Sequence, residues 1–158
     1  MVNVVKGAGE EIALVAAGIW AEATAKRDGF ATTAPAEAKL PGIRRALDAG
    51  GTIQMAYDGD QPIGFALLVP GRGVLELRYF AVASEAWGTG VASELMAALV
   101  DRARASDVTV LELWVLQVNA RAIAFYERSG WRTTPDLKSQ VDSRRIERRL
   151  ERILTVST

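Results

Sequence analysis

Apolar residues recur along this chain in two rhythms, one of period two and one of period 3.6, and the rhythms alternate. Val2–Val5 predicts a short strand. Glu10 to Lys26 predicts an amphipathic helix, with Ile12, Val15, Ala16 and Ile19 at helical spacing. Arg27 to Pro35 is loop-like, with Gly29 and the pair Thr32-Thr33. A second helix is expected over Glu37–Ala49, interrupted near Pro41-Gly42 and closed by Gly50-Gly51. Thr52–Tyr57 and Ile63–Val69 read as strands of a hairpin turned by Asp58-Gly59-Asp60-Gln61-Pro62. A second turn, Pro70 to Gly73, leads into a strand over Val74–Val82.

Beyond Val82 the helical rhythm returns over Gly90–Arg104, where Val91, Leu95, Leu99 and Ala103 form one stripe. Thr109–Leu116 is apolar throughout apart from Glu112, as expected of a buried, parallel-paired strand. Ala120–Ser129 predicts a helix, with Asn119 as N-cap and Gly130 just past its end. Trp131–Thr133 begins another strand. The tail from Arg144 supports two readings on pattern alone, because Ile146, Leu150, Ile153 and Leu154 also fit a helical stripe. No repeat, low-complexity stretch or linker interrupts the chain. Strands and helices mixed in this order imply one α/β domain over residues 1–158, a mixed sheet layered with helices.

One junction carries chemistry. Trp87-Gly88-Thr89-Gly90-Val91-Ala92-Ser93 joins the strand ending at Val82 to the helix from Gly90. Glycines let backbone approach a ligand closely, and the first N–H groups of a helix have no partner inside it. Such a turn favours an anion, phosphate above all.

Composition narrows the rest. The chain of 158 residues has no cysteine and no histidine. Disulfides, thiolate nucleophiles and histidine-based triads are therefore excluded, and no metal site is expected. Proton transfer falls to carboxylates, tyrosine, lysine, water or backbone. Nineteen basic residues balance nineteen acidic ones, which argues against binding nucleic acid by bulk charge. Arginines of the tail alternate with Glu147 and Glu151, the pattern of a solvated face. No apolar run approaches a membrane span, and a secretory signal is not expected, so the expected location is the cytoplasm.

Downstream, Asn119-Ala-Arg-Ala-Ile-Ala-Phe125-Tyr126-Glu-Arg-Ser-Gly130-Trp131-Arg132 supplies a second motif. With the Trp87–Ala92 loop, in that order, it resembles the GNAT superfamily of N-acetyltransferases over roughly Leu75–Arg132. The family's loop usually reads Arg/Gln-x-x-Gly-x-Gly/Ala, and here Trp87 replaces the leading polar residue. The resemblance implies an acyl-CoA N-acyltransferase fold of six to seven strands with helices on both faces, and a strand in the tail. It implies acetyl-coenzyme A as co-substrate and a small-molecule or peptide amine as acceptor, with a homodimer left open.

The resemblance also distributes the roles. Backbone of Gly88 to Ser93 would hold the pyrophosphate. Phe80, Ala81 and Val82 would offer main-chain groups to the pantetheine arm and the thioester oxygen, where the family's sheet splays open. Asn119 would bond the same arm. Tyr126 would protonate the departing thiolate. Adjacent residues on a helix point about 100° apart, so one of the rings of Phe125 and Tyr126 is expected to face the sheet and the other the cleft. Glu76 would serve as base, with Glu112 or water as alternatives; period-two spacing also places Glu76 within reach of Arg78 as an ion pair. The acceptor pocket would involve Trp20, Arg27–Pro41 and Leu137–Arg145, with Glu22, Asp28 and Asp142 as candidate partners for an ammonium group. A coenzyme A-binding module that has lost its chemistry is the competing interpretation.

Overall fold

The computed structural model describes residues 2–29, 35–139 and 145–154. Seven strands form one sheet in the order β1-β2-β3-β4-β5-β7-β6. The strands are β1 (Val2–Gly7), β2 (Thr52–Asp58), β3 (Gln61–Pro70), β4 (Val74–Val82), β5 (Val110–Leu116), β6 (Arg132–Ser139) and β7 (Ile146–Ile153). Only β4 and β5 run parallel; every other neighbouring pair is antiparallel. The tail is thus a strand. Its residues alternate: Leu150 points into the core and is fully buried, while Arg149 and Glu151 lie on the opposite face.

Four helices complete the layers: α1 (Glu10–Asp28), α2 (Ala36–Asp48), α3 (Val91–Arg104) and α4 (Ala120–Arg128). α1 and α2 cover one face of β2–β4, where Ala13, Ala16, Ala17, Ile43 and Ala46 meet Ile53, Met55, Phe65 and Leu67. The small residues of α1 let it lie close to the sheet. α3 and α4 cover the other face, where Leu95, Met96 and Leu99 meet Leu111, Leu113 and Leu150. Truncating a fully buried side chain such as Leu95 to alanine costs about 2–5 kcal/mol.

Three expectations change. α2 is continuous through Pro41. Proline removes only the N–H bond to the carbonyl four residues back, and burial of Leu40, Ile43 and Ala46 holds the helix together around it. Arg27 and Asp28, expected in a loop, belong to α1, which Gly29 closes. β5 is not buried on both faces: Leu111, Leu113 and Val115 are buried, while Val110, Glu112, Trp114 and Leu116 are partly exposed. Among the described residues no helix packs extensively on that second face, because α1 reaches only as far as β4 and α2 lies over β3.

Candidate active site

β4 and β5 pair only where Val74–Glu76 meets Val110–Glu112. Both strands continue, β4 to Val82 and β5 to Leu116, while β4 stays paired with β3 as far as Val82. The sheet therefore forks. The Ala83 N–H donates to the Ile63 carbonyl at 2.8 Å. Polar groups of an antiparallel strand point to alternate sides, so Ala81 also turns its N–H and C=O to β3. Phe80 and Val82 turn theirs into the fork. Of the three residues expected to offer backbone there, Ala81 is corrected: the ladder uses its main chain.

A bulge sets this phase. Leu67 lies opposite Tyr79 and Leu68 opposite Leu77, so Arg78 is the extra residue. The alternation of β4 shifts by one at that point. Leu77 and Phe80 pack with α3 and α4, whereas Tyr79 and Ala81 pack with α1 and α2.

Past Val82 the chain makes a 3-10 turn, Ser84–Ala86, and enters the glycine loop. Gly88 has φ 80° and Gly90 φ 91°, left-handed values that favour glycine, and a Cβ on either would meet only open space. Thr89 ties the loop down through its N–H (3.3 Å) and hydroxyl, both donating to the Ala86 carbonyl. Thr89 is thus corrected as a backbone donor to phosphate. Among the described residues, the N–H groups of Gly88, Gly90, Val91, Ala92 and Ser93 have no acceptor. Five free donors at the head of α3 make an anion cradle, reinforced by the helix dipole. Trp87 is occupied elsewhere: its indole N–H donates to the Val82 carbonyl at 2.7 Å.

α4 supplies the opposite wall. Asn119 caps it, its Oδ1 accepting the Ala122 N–H at 3.2 Å, which leaves the side-chain amide N–H groups to donate. Phe125 and Tyr126 do not divide between sheet and cleft. Both rings meet Phe80, at 5.7 and 6.4 Å between centroids, and they meet each other edge-on at 5.5 Å. Phe80 is wide enough to receive both despite their angular separation on the helix. Trp131 backs Tyr126 at 5.9 Å and is pinned by its indole N–H to the sulfur of Met96. Burial pushes the Tyr126 phenol up to about 12, so it keeps its proton at any working pH.

The fork closes on two carboxylates. Glu76 and Glu112 are partners in the last rung of the β4–β5 ladder and share one face. Arg78 grips Glu76 with Nη2 at 2.8 Å and Nε at 3.3 Å, the ion pair that the spacing allowed. This pair is part-exposed and worth about 0–1 kcal/mol, so it orients Glu76 without locking it. Glu112 is held harder. Arg149 binds it through Nε and also reaches Glu151 at 3.1 Å and Asp136 at 3.7 Å. The Glu112 carboxylate raises the Arg149 guanidinium above its ordinary value, and Arg132, with Arg149 behind it, lowers Glu151. The tail arginines are thus not merely a solvated face.

The family model described as "Acetyltransferase (GNAT) family" matches residues 19–131. The chain belongs to that family. Among solved structures, a GNAT-family protein from Desulfovibrio desulfuricans is 21% identical, with 98% of this chain and 100% of that one covered at a TM-score of 0.79. The ribosomal-protein-S18-alanine N-acetyltransferase of Escherichia coli is 18% identical, covering 100% and 97%, at 0.71. A Bacillus subtilis acetyltransferase in complex with CoA is 15% identical, covering 98% and 100%, at 0.73. At these identities the likeness is one of fold. Among curated proteins none matches the sequence.

On the acceptor side of this GNAT chain, Glu22 is corrected. It is no free partner for an ammonium group: its two oxygens accept the Ser84 N–H at 2.8 Å and the Ser84 hydroxyl at 2.5 Å. It therefore ties α1 to the start of the glycine loop. Asp28 sits in a surface pair with Arg27 at 3.0 Å, and Asp142 lies outside the described residues. Trp20 is half-buried, edge-on to Tyr79 at 5.0 Å, and Gly42 of α2 leaves the space that the Tyr79 hydroxyl fills. Leu137 is exposed on β6. Trp114, with the Lys138 ammonium 4.3 Å from its ring centroid, was missed. The odd one out in an apolar strand that carries a charge two residues earlier was the available signal.

Proposed function

We propose that this protein is an N-acetyltransferase that moves an acetyl group from acetyl-coenzyme A directly to a primary amine. One observation carries the reading: the main-chain groups of Phe80 and the Val82 N–H, which the β3 ladder does not use, stand just before the five free N–H groups from Gly88 to Ser93. Donors at the head of α3 suit a pyrophosphate, and an unpaired strand edge suits the amides of a pantetheine arm. Bound there, the co-substrate supplies an acetyl group activated as a thioester. Two structurally similar acetyltransferases, one solved with CoA and one with acetyl-CoA bound, support the same choice.

The chain's residues divide the remaining work. The Phe80 N–H, held by the sheet, donates into the fork, where negative charge on a carbonyl oxygen would be stabilised; a fixed donor of this kind is worth about 3 kcal/mol. Tyr126 holds the proton that a departing thiolate needs. Asn119 keeps amide N–H groups for the arm. About 13 Å of strand separates Glu76 from Phe80, so Glu76 takes up the ammonium proton through water. No covalent enzyme intermediate forms, because the chain has neither cysteine nor a histidine to activate a serine. The acceptor is a small-molecule amine or a protein or peptide amine, met in the cytoplasm.

The competing reading, a coenzyme A-binding module without chemistry, draws support from the arginines on both candidate bases. An amine panel incubated with acetyl-coenzyme A and read by thiol release separates the two. Amine-dependent release is expected, on a protein thiol background of zero. Saturable coenzyme A binding with no amine-dependent thiol from any class of acceptor would replace the enzyme by the module.

A further inference from the structure

Trp87 occupies the place of a polar side chain in the family's phosphate loop, and its indole cannot substitute for one. Its only N–H is spent on the Val82 carbonyl. What the ring does offer is a face. It is 40% exposed, and the guanidinium carbon of Arg121, on the far wall of the cleft, lies 5.9 Å from its centroid. An arginine over an indole is held by the ring's electron-rich face.

Arg121 is otherwise out of place. It sits in the first turn of α4, where the helix dipole disfavours a cation. It is exposed, and among the described residues no carboxylate lies within ion-pair distance of it. A cation without a counter-ion therefore stands beside the loop whose N–H groups are also without acceptors. We propose that Arg121 is a pyrophosphate-binding residue: it supplies from α4 a positive charge that the loop itself does not carry, and Trp87 is the platform that holds it. The proposal rests on the coenzyme A reading above. It makes the two walls of the fork converge on one anion, with backbone donors from α3 and a planar guanidinium from α4.

Titration calorimetry with three probes tests it. Coenzyme A carries the pyrophosphate and a 3′-phosphate, dephospho-coenzyme A only the pyrophosphate, and pantetheine neither. Arg121→Ala should weaken the first two equally, by about tenfold, and leave pantetheine unchanged. The fall of coenzyme A affinity with salt should become shallower. Arg121→Lys, which keeps charge but loses the flat face, should fall between. Trp87→Ala should reproduce part of the defect, and the double variant should bind no more weakly than Arg121→Ala alone, whereas Trp87→Phe keeps the platform. Because Arg121 is exposed, melting temperatures should stay near wild type. Unchanged coenzyme A affinity and salt slope in Arg121→Ala would overturn the proposal. So would an equal loss for pantetheine, or a loss for coenzyme A that dephospho-coenzyme A does not share. If the wild-type protein binds no coenzyme A, the functional reading itself fails.

Discussion

The glycine loop and the β4–β5 fork lie at opposite ends of one strand, about 20 Å apart, and handle charge in opposite ways. The loop presents free N–H groups and keeps side chains out: both glycines that shape it have positive φ, and Trp87 turns its one donor away. The fork presents carboxylates and neutralises them with arginines from its own or distant strands. Backbone donors need only correct torsion angles, so the loop is complete in the free protein. A proton acceptor works through its partners, so the fork's chemistry is set by Arg78 of β4 at Glu76 and by β6 and β7 at Glu112. Between them, on the same strand, Phe80 carries the ring of Tyr126.

The largest effect is expected at that midpoint. Tyr126→Phe keeps the packing and removes the hydroxyl, and turnover should fall by about 10²–10⁴-fold with the loss in kcat rather than KM. Since the phenol stays protonated up to about 12, the defect should be the same at pH 7 and pH 9. Full activity, with a substrate for which chemistry limits the rate, would remove Tyr126 from the mechanism. Next, Gly90→Val forces a β-branched residue to φ 91° and aims its side chain at the anion cradle. Coenzyme A affinity should drop roughly a hundredfold, since more than one charge-assisted hydrogen bond is lost, with circular dichroism unchanged. Normal binding would reduce the loop to a turn.

At the fork, Glu76→Gln should lower kcat/KM about tenfold at neutral pH, and the deficit should shrink as rising pH deprotonates the acceptor amine. A pH-independent deficit would assign Glu76 to structure. Glu22→Ala cuts the tie between α1 and Ser84; the acetyl-coenzyme A KM should rise a few-fold and stability should fall by about 1–3 kcal/mol. An unchanged KM would show that the loop holds its shape unaided. The mildest effect is confined to alkali. Tyr126 binds its proton more tightly folded than unfolded, so its contribution to stability is full below pH 10 and is lost as pH rises towards 12. Denaturant midpoints between pH 10 and 12 should decline less steeply in Tyr126→Phe.

Legibility in the sequence followed the same division. The loop, α3, α4 and Asn119 are local: glycine, helical stripe and cap lie within a few residues of one another, and each stands where the pattern placed it. What escaped depends on contacts distant in sequence. Glu22 meets Ser84 across 62 positions, and Arg149 meets Glu112 across 37. Such pairs leave no periodic trace, so Glu22 read as a carboxylate available to an ammonium group. The half-open face of β5 was hidden for another reason. Trp114 and Leu116 look apolar in sequence, and only the end of helical cover at β4 exposes that side. Pro41 misled by a local rule that tertiary packing overrode.

The phase of β4 has a consequence for how fast its amides exchange with solvent deuterium. In most strands of a sheet interior, neighbouring amides are protected alike. Here protection should alternate residue by residue: the Ala81 N–H is locked against β3, while those of Phe80 and Val82 open onto the fork. A slow amide between two fast ones is therefore the signature of the empty cleft. When a ligand fills it, the two fast amides should slow while Ala81 stays as it was, so that three consecutive positions report occupancy with their own internal reference.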